Sequence, residues 1–539
     1  MPEKTRIIIL GGGFGGVYTA MYLESYLRRK RNHDLFEITL VNRENYFVFQ
    51  PMLSEVVGGS LDILDTINSL RKLLPGTRLY VREIEAIDVE NKSVTLSPKF
   101  SHRSLTLHYD HLVLALGNVT DFRDMSGLRE HARPFKNLAD AIDIRNQIID
   151  AVEAASCEED PRLRRQLLTF VVGGGGFSGT EVVAEVNDFV RKMAAQYDSV
   201  NQSDIRVVLI HSKNHLMEQE LSSSLGEYAG RLLTRRGVEI RFDVHLISAT
   251  PEEAVLDNGE TILSKTIIST VPSSPNPLID MLPLTKQHGK VITDATLQVE
   301  EHEGLWALGD CAAVPHVAGS GICPPTAQFA IRQAKVLAHN IHASLTRKEK
   351  KRFHFKALGM MGALGHHSAV AELFGIFKFS GLSAWLLWRA IYWTKLPGIN
   401  RKIKVAISWI LDTIIPSEAV QIRMTPNQGI AQLHFVEGEV IFHEGDVGDY
   451  LYIIVNGEVE VFRTEKSREQ RIAKLGKGAY FGEMALLNRR SRLATVRCLS
   501  PVDVIALKKN DFGILISNFA ELKHSFEQAN ATRGKRLSN

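Results

Sequence analysis

Cysteine is scarce in this 539-residue chain, and the four present, Cys157, Cys311, Cys323 and Cys498, form no C-x-x-C pair. That excludes a redox-active dithiol of this spacing and a thiolate metal site. Charge of one sign is lacking too. The net formal charge is +3, which leaves no electrostatic footprint for nucleic acid, so no nucleic-acid partner is expected. Long apolar runs are missing. Residues 379–394 (FSGLSAWLLWRAIYWT) are interrupted by Arg389, and 405–415 (VAISWILDTII) are shorter still; a span needs roughly 20 apolar residues. No signal-peptide pattern precedes the first apolar run at residue 6, so an intracellular location is expected. Hydrophobic residues at 44% and charged residues at 23% fit an ordinary globular protein. The length allows about three domains.

Glycine is present where it carries meaning. IIILGGGFGG at 7–16 places Gly11, Gly13 and Gly16 in G-x-G-x-x-G register, and FVVGGGGFSG at 170–179 does the same with Gly174, Gly176 and Gly179. In each, the first glycine permits a tight turn and the second lets a pyrophosphate approach the backbone. The third lets a helix pack closely on its strand, and that helix N-terminus then faces the anion. A chain that holds two dinucleotides face to face meets the physical requirement for moving a hydride from a nicotinamide to a flavin.

The rest of the pattern fits two nucleotide folds, one interrupting the other. A helix is expected at roughly 15–30, strands at 38–41 (ITLV) and 111–117 (HLVLALG), and a helix at about 137–155. The second fold occupies roughly 166–280. The chain then returns with GLWALGDCA at 304–312 and a helix starting near Pro325.

NRENYFVFQPML at 42–53, the second fingerprint, GDCAAVP at 309–315, PPTAQFAIRQ at 324–333 and AVAELFGIFKFSGLSAWLLW at 369–388 together resemble the type II NADH:quinone oxidoreductase family, over about residues 6–423. The resemblance implies a non-covalent FAD, NAD(P)H as donor and a membrane quinone as acceptor. It assigns Gly11, Gly13 and Gly16, with Phe14 and Gly15 between them, to the FAD pyrophosphate, and Asp310 to the phosphate–ribityl region. Gly117 closes against the FAD. Gly174, Gly176 and Gly179, with Phe177, fall to the NAD(P)H pyrophosphate. Glu181 matches a glutamate near the stacked nicotinamide and flavin rings, and Gln328 a glutamine beside the isoalloxazine where quinone approaches. These two are the candidate catalytic residues. Read without the resemblance, Glu181 is a first-turn glutamate favoured by the helix dipole, and Gln328 an ordinary helix N-terminal residue.

Four departures stand out. The acidic residue that ordinarily ends the second strand of each nucleotide fold and binds ribose hydroxyls is Asn42 here, followed by Arg43, in the first fold. In the second it is His211, followed by Ser212 and Lys213. Loss of that carboxylate removes the main discrimination against NADPH, and Lys213 is placed to pair with a 2′-phosphate. A T-A-G turn near the nicotinamide reads Thr270-Val271-Pro272, and proline removes a backbone donor. Arg332 replaces a second glutamine near the quinone, either to bond a quinone oxygen or to line its helix.

Trp385, Trp388, Trp393 and Tyr392, with Lys395, Arg401, Lys402 and Lys404, suit an interfacial helix pair over 379–415, with aromatic rings at headgroup level. A buried dimer interface or core helix is the alternative, and a homodimer on the cytoplasmic side of the membrane is expected.

From about 424 the pattern changes to short alternating strands with glycine turns at Gly438, Gly445, Gly448 and Gly457. HFVEGEVIFHEGDVGDYLYIIVNGEVEVF at 434–462 and FGEMALLNRRSRLATV at 481–496 resemble a cyclic-nucleotide-binding β-roll with its phosphate-binding cassette. The resemblance assigns backbone access to Gly482, the ribose 2′-OH to Glu483 and the cyclic phosphate to a bidentate Arg492. Leu493, in place of a threonine, favours cAMP. Too little chain follows Phe512 for a helix-turn-helix, so a DNA-binding regulator is not expected.

The expected fold is therefore α/β. It has two Rossmann-type dinucleotide-binding domains, one for FAD (1–165 and 281–356) and one for NAD(P)H (166–280). An amphipathic membrane-associating or dimerisation segment (357–423) and a C-terminal β-roll cyclic-nucleotide-binding domain (424–539) come after them. The expected function is a membrane-associated NAD(P)H:quinone oxidoreductase responsive to a cyclic nucleotide. The alternatives are a catalytically weakened flavin sensor or scaffold with a cyclic-nucleotide module, and a sulfide:quinone oxidoreductase, which needs paired cysteines beside the flavin.

Overall fold

The computed structural model describes residues 4–30, 36–98, 104–120, 122, 125, 127–218, 221–270, 273–316, 321–414, 420–421, 430–446, 450–465, 468–488, 492–508 and 512. Val271, Pro272 and Gly448 lie outside the described residues. The chain divides into two compact units, residues 1–81 with 109–423, and residues 82–108 with 424–539.

The first unit is built on two parallel five-stranded sheets. One runs in the order Leu305–Ala307, His111–Leu114, Thr5–Leu10, Phe36–Asn42, Arg78–Val81. The other runs Ala132–Pro134, Thr266–Ser269, Thr169–Gly173, Arg206–Ile210, Val238–Arg241. Central strands of parallel sheets are covered on both faces and so read as continuous apolar runs. Ile7, Ile8, Ile9 and Leu10 are all buried, and so is every residue of Thr169–Gly173. The strand Leu305–Ala307 enters the first sheet only after the chain has completed the second.

Two long helices position the chemistry. The helix Leu138–Cys157 begins at a capping box, where Asn137 accepts from the Asp140 N–H and the Asp140 carboxylate accepts from the Asn137 N–H. Its Ile144, Ile148 and Val152 share a core with Val182, Val186 and Val190 of the helix Phe177–Ala194. Each such side chain contributes roughly 1.5–3 kcal/mol on full burial. The short helix Leu53–Gly58 wedges against both. It lies so close that a Cβ on Gly58 would stand 1.9 Å from Glu185 Oε2.

Beyond the second sheet, an antiparallel sheet of Gly359–Ala363, Ala369–Leu373 and Phe377–Ser380 leads into helices Gly381–Lys395 and Ile399–Ile414. None of the helices described is long and apolar enough to cross a membrane. Two of the expected headgroup-level tryptophans, Trp385 and Trp388, are instead buried, while Trp393 and Tyr392 are half-buried. Trp388 is fully buried, and Trp385 and Trp409 nearly so. The reason is Arg389, which the sequence showed only as an interruption. Its guanidinium is buried, stacked 3.8 Å over Trp385 and 4.8 Å over Trp409, so the rings wrap a cation inside the protein. The outward face is aliphatic: Leu382, Leu386, Ile399, Ile403, Ile407, Ile410 and Ile414 are all exposed.

In the second unit, Ile84–Asp88, Ser93–Leu96 and Leu105–His108 form an antiparallel three-stranded sheet. The C-terminal residues form two antiparallel four-stranded sheets. One has the order Ile430–Phe435, Val502–Lys508, Tyr450–Asn456, Tyr480–Phe481. The other has Val440–Phe442, Thr495–Cys498, Val459–Glu465, Arg468–Leu475. Ile454, Val459, Val496, Val502 and Val504 fill the space between them.

Candidate active site

The first glycine turn is dictated by close approach. Gly11 has φ +107°, and a Cβ there would stand 2.3 Å from the Ala115 carbonyl oxygen. A Cβ on Gly16 would stand 1.9 Å from the Gly11 carbonyl oxygen, so the third glycine is what lets the helix Phe14–Lys30 sit on its strand. Gly13 differs: a Cβ there meets nothing within 4 Å, and the same holds at Gly117. The resemblance assigns both positions to the flavin dinucleotide, and the open space at each fits one. Asn42 Oδ1 accepts from the Gly12 N–H at 2.8 Å, so this residue holds the turn itself. Phe14 is buried edge-on against Phe47, centroids 5.0 Å apart, behind the cradle. Gly15 packs on Leu308, and Arg43 stays exposed beside Glu44. Asp310 lies in the short 3-10 turn Gly309–Cys311; burial raises its carboxyl, and Lys136 and Lys290 oppose that. The Gly309 N–H donates to Gln333 Oε1 at 2.8 Å. Gln333 is buried and anchors the Gly309–Asp310 turn, a role sequence reasoning missed although the residue ends the PPTAQFAIRQ string.

The second turn repeats the first. Gly174 has φ +108°, and a Cβ on Gly179 would stand 1.7 Å from its carbonyl oxygen. Gly176 caps the helix Phe177–Ala194, and the Phe177 ring packs against Gly362. Here His211 does what Asn42 does in the first fold. Its Nδ1 accepts from the Gly175 N–H at 3.1 Å, and its Nε2 faces the His215 carbonyl oxygen at 3.1 Å. This pair sets the neutral tautomer with the proton on Nε2, and desolvation lowers the imidazole's pKa, which agrees. Lys213 is exposed close by. Thr270 donates its hydroxyl to the Gly173 carbonyl oxygen at 2.9 Å.

Glu181 sits in the opening turns of that helix. It accepts from the Ala363 N–H at 3.0 Å, and burial pushes its carboxyl up to about 8. Gln328, in the first turn of the helix Ala327–Leu345, donates to the Gly359 carbonyl oxygen at 3.2 Å. Both candidate catalytic residues are thus tied to one strand, Gly359–Ala363, which brings them to a common edge. The Arg332 guanidinium lies 4.3 Å over Phe355 and donates to the Gln328 carbonyl oxygen at 3.3 Å. Sequence reasoning also missed Glu55, Glu185, Arg389 and Asp412, which are buried together. Only Glu185 left a trace, as the residue one helical turn beyond Glu181.

The cysteines do not support sulfide chemistry. Cys157 is exposed at a helix end, and burial pushes the Cys311 and Cys323 thiols up to about 11. The thiolate is the nucleophile, and burial favours the thiol form of both.

In the second unit, Gly482 (φ +91°), Glu483 and Arg492 come together at the start of the helix Glu483–Asn488. Glu483 and Arg492 are buried. Arg492 Nη1 donates to the Gly482 carbonyl oxygen at 2.6 Å and Nη2 to the Tyr450 carbonyl oxygen at 2.7 Å. Its guanidinium also stacks 4.1 Å over Phe442.

Two dinucleotide cradles, a half-buried acid in the helix after the second and an adjoining antiparallel sheet define a flavin- and pyridine-nucleotide-dependent oxidoreductase. Residues 5–334 match the pyridine nucleotide-disulphide oxidoreductase family, 358–416 the NDH2 C-terminal domain, and 432–519 the cyclic nucleotide-binding domain. The chain belongs to the pyridine nucleotide-disulphide oxidoreductase family, on its type II NADH:quinone oxidoreductase branch, with a cyclic nucleotide-binding domain at its C-terminal end. It is 30% identical over 413 residues to the demethylphylloquinone reductase NdbB of Synechocystis, covering 76% of this chain and 96% of that one. It is 28% identical over 425 residues to the type II NADH:quinone oxidoreductase NdhA of Mycobacterium tuberculosis, covering 75% and 86%. Among solved structures, NDH2 of Plasmodium falciparum in complex with NADH superposes with a TM-score of 0.72 at 19% identity, covering 78% of this chain and 100% of that one. The sulfide:quinone oxidoreductase of Aquifex aeolicus does so at 0.57 and 18%, a likeness of fold alone.

Proposed function

We propose that this chain oxidises NAD(P)H and reduces a quinone at a membrane surface, with a cyclic nucleotide as effector. The observation that carries the reading is the pair of glycine cradles together with the strand Gly359–Ala363, which pins both Glu181 and Gln328. FAD, when bound, supplies the hydride acceptor and the electron donor for quinone. The protein's own part is placement. Gly11, Gly13, Gly16, Gly117 and Asp310 hold the flavin dinucleotide. Gly174, Gly176 and Gly179 hold the donor, with His211 fixing their turn. Gln328 frames the quinone side, and Glu181 stores a proton at neutral pH.

His211 is neutral and already committed to Gly175, so it neither repels nor attracts a 2′-phosphate. With Lys213 exposed beside it, the donor site accepts both NADH and NADPH. The exposed aliphatic face of residues 382–414 is the membrane-docking surface, flanked by Lys395 and Lys404 for anionic headgroups, on the cytoplasmic side where NAD(P)H is available. A second copy of the chain is the other occupant of part of that face, and it is distinguished by oligomeric state in detergent. In the C-terminal pocket the cyclic phosphate takes Arg492 from its two carbonyl partners, and Glu483 takes the ribose hydroxyl. cAMP therefore binds in competition with those two internal bonds.

The test is steady-state quinone reduction by the FAD-loaded protein in lipid vesicles, with NADH and NADPH each titrated, with and without cAMP. Turnover with both donors, shifted by cAMP, is the expected result. No turnover despite bound FAD sinks the enzymatic reading and leaves a flavin sensor. A cAMP response absent from turnover, donor affinity and vesicle partition removes regulation in cis.

A further inference from the structure

The loop that follows the strand Arg206–Ile210 grips the donor turn from two sides. At its start, His211 Nδ1 accepts from the Gly175 N–H at 3.1 Å. At its end, the Met217 N–H donates to the Gly175 carbonyl oxygen at 2.8 Å, and the Thr180 hydroxyl donates to the same oxygen at 3.2 Å. A peptide unit is planar and trans, so its N–H points opposite to its carbonyl. Holding the Gly175 oxygen against Met217 and Thr180 therefore aims the Gly176 N–H away from both. A donor pyrophosphate is met by N–H groups at this position of the turn.

Met217 holds its place at a cost. It is fully buried and has φ +53°, in the left-handed region that a Cβ disfavours. Strain of this kind persists where the surroundings over-determine the backbone. The Met217 carbonyl oxygen accepts from the Leu221 N–H at 2.9 Å, and the side chain has a fixed seat. A Cβ on Gly362 would stand 3.3 Å from Met217 Sδ and 2.8 Å from Phe177 Cδ1. Sulfur and ring thus close together over a position kept bare of side chain.

Gly362 belongs to the strand Gly359–Ala363. Its neighbour Ala363 donates its N–H to Glu181 Oε1 at 3.0 Å, and Gly359, at the other end, accepts from Gln328 Nε2 at 3.2 Å. Met217 therefore joins two parts that lie far apart along the chain. Its main chain holds the turn that receives the donor, and its side chain rests on the strand that carries both candidate catalytic residues. In the sequence it is only part of an apolar pair in the polar stretch HSKNHLMEQE at 211–220.

We propose that Met217 is a positioning residue for hydride transfer: through Gly175 it orients the donor turn, and through Gly362 it sets how far that turn stands from the strand Gly359–Ala363. The proposal rests on the NAD(P)H-oxidising reading and adds no chemical step to it. Hydride transfer needs donor and acceptor atoms in near-attack geometry, and a displacement of about 1 Å costs up to about a hundredfold in rate. The two contacts of Met217 act on different quantities. Its main-chain bond bears on donor affinity, and its side chain on the rate of transfer.

The experiment uses the full-length FAD-loaded protein in vesicles and separates the two half-reactions by stopped flow. Met217→Ala keeps the main-chain bond and empties the seat on Gly362. Flavin reduction by NADH should slow about tenfold or more, with a larger primary isotope effect from NADH deuterated at the transferred position. Affinity for NAD⁺, measured by calorimetry, should stay near the wild-type value, and reoxidation by a short-chain quinone should keep its rate. Met217→Leu refills the seat and should restore most of the reduction rate. Gly362→Ala disturbs the same contact from the strand side and should reproduce the slow reduction and the enlarged isotope effect. Met217→Gly also frees the main chain to leave its conformation, so NAD⁺ affinity should fall as well. Wild-type reduction rates and isotope effects in both Met217→Ala and Gly362→Ala overturn the proposal. So does an equal loss in both half-reactions in every variant, with flavin lost and melting temperature lowered, because a merely structural residue behaves that way. Wild type that binds FAD yet is reduced by neither NADH nor NADPH overturns the oxidoreductase reading instead.

Discussion

At residues 11–16 the glycine turn is held by Asn42 Oδ1, 2.8 Å from the Gly12 N–H; at residues 174–179 it is held by His211 Nδ1, 3.1 Å from the Gly175 N–H. The third glycine meets the first at 1.9 Å in one turn and 1.7 Å in the other, measured from the Cβ it lacks. The backbones are the same solution reached twice. The helices that leave the two turns are different. The first helix buries Val17, Ala20 and Leu23 in the core. The second buries Glu185 and keeps Glu181 and Asp188 half-buried on the same face. The residue that ends the second strand thus has a first duty, to accept one N–H, which an amide or an imidazole fulfils as well as a carboxylate. Selection of the ribose or its phosphate is a separate property, and it changes without disturbing the turn.

The pairing of the two cradles fails most severely at the glycines. Gly16→Ala forces a Cβ against a carbonyl oxygen and should cost ~3 kcal/mol or more, read as a lost melting transition and absent flavin. Gly13→Ala faces open space. Its flavin-free chain should melt within ~0.5 kcal/mol of wild type, yet retain far less flavin on gel filtration. If both variants behave alike, the assignment of the second glycine to the pyrophosphate is wrong.

His211→Asp tests the second cradle against the first. A carboxylate keeps the Gly175 bond and adds repulsion toward a 2′-phosphate, so the kcat/KM ratio of NADH to NADPH should rise about tenfold or more, equivalent to ~1.4 kcal/mol. Asn42→Asp, the matching change in the first cradle, should leave flavin retention and donor ratio unaltered. An unchanged ratio in His211→Asp would place the phosphate elsewhere.

A smaller effect is expected on pH and stability. Glu181 rises from 4.5 to about 8 and Glu55 to about 6 on folding. Between those values the folded chain binds protons that the unfolded chain has released, so stability falls as pH rises from 4.5 toward 8. His211 works the other way. Its value is lowered from 6.5, so the unfolded chain binds the proton first and stability falls as pH drops below 6.5. Melting temperature should therefore peak on the acid side of neutrality, and Glu181→Gln should flatten the alkaline slope. A profile rising steadily to pH 8 in wild type contradicts the buried-acid assignment.

Much of the first unit is legible in the sequence. Both turns, the strand ITLV within Phe36–Asn42, the helix opening at Asn137 and the helix after Thr326 sit where glycine spacing and apolar patterning put them. The tryptophans mislead because aromatic and basic residues on a short apolar helix suit an interface and a cation-filled core equally well. Only the arrival of Glu55 and Asp412 around Arg389 decides between them. Arg492 is legible as an anion ligand, but its bonds to Gly482 and Tyr450 are not, since the Tyr450 partner comes from a different strand.

The two cradles and the C-terminal β-roll are written into short stretches of chain. Their requirements, a missing Cβ, a free N–H, a turn at a set spacing, are local to a few consecutive residues, and sterics leave few other answers. Which acids lie buried together is a matter of packing between distant elements. Glu55, Glu185, Arg389 and Asp412 are far apart along the chain, and each alone reads as a solvated surface charge. Their shared desolvation exists only where four helices, Leu53–Gly58, Phe177–Ala194, Gly381–Lys395 and Ile399–Ile414, close over the same space.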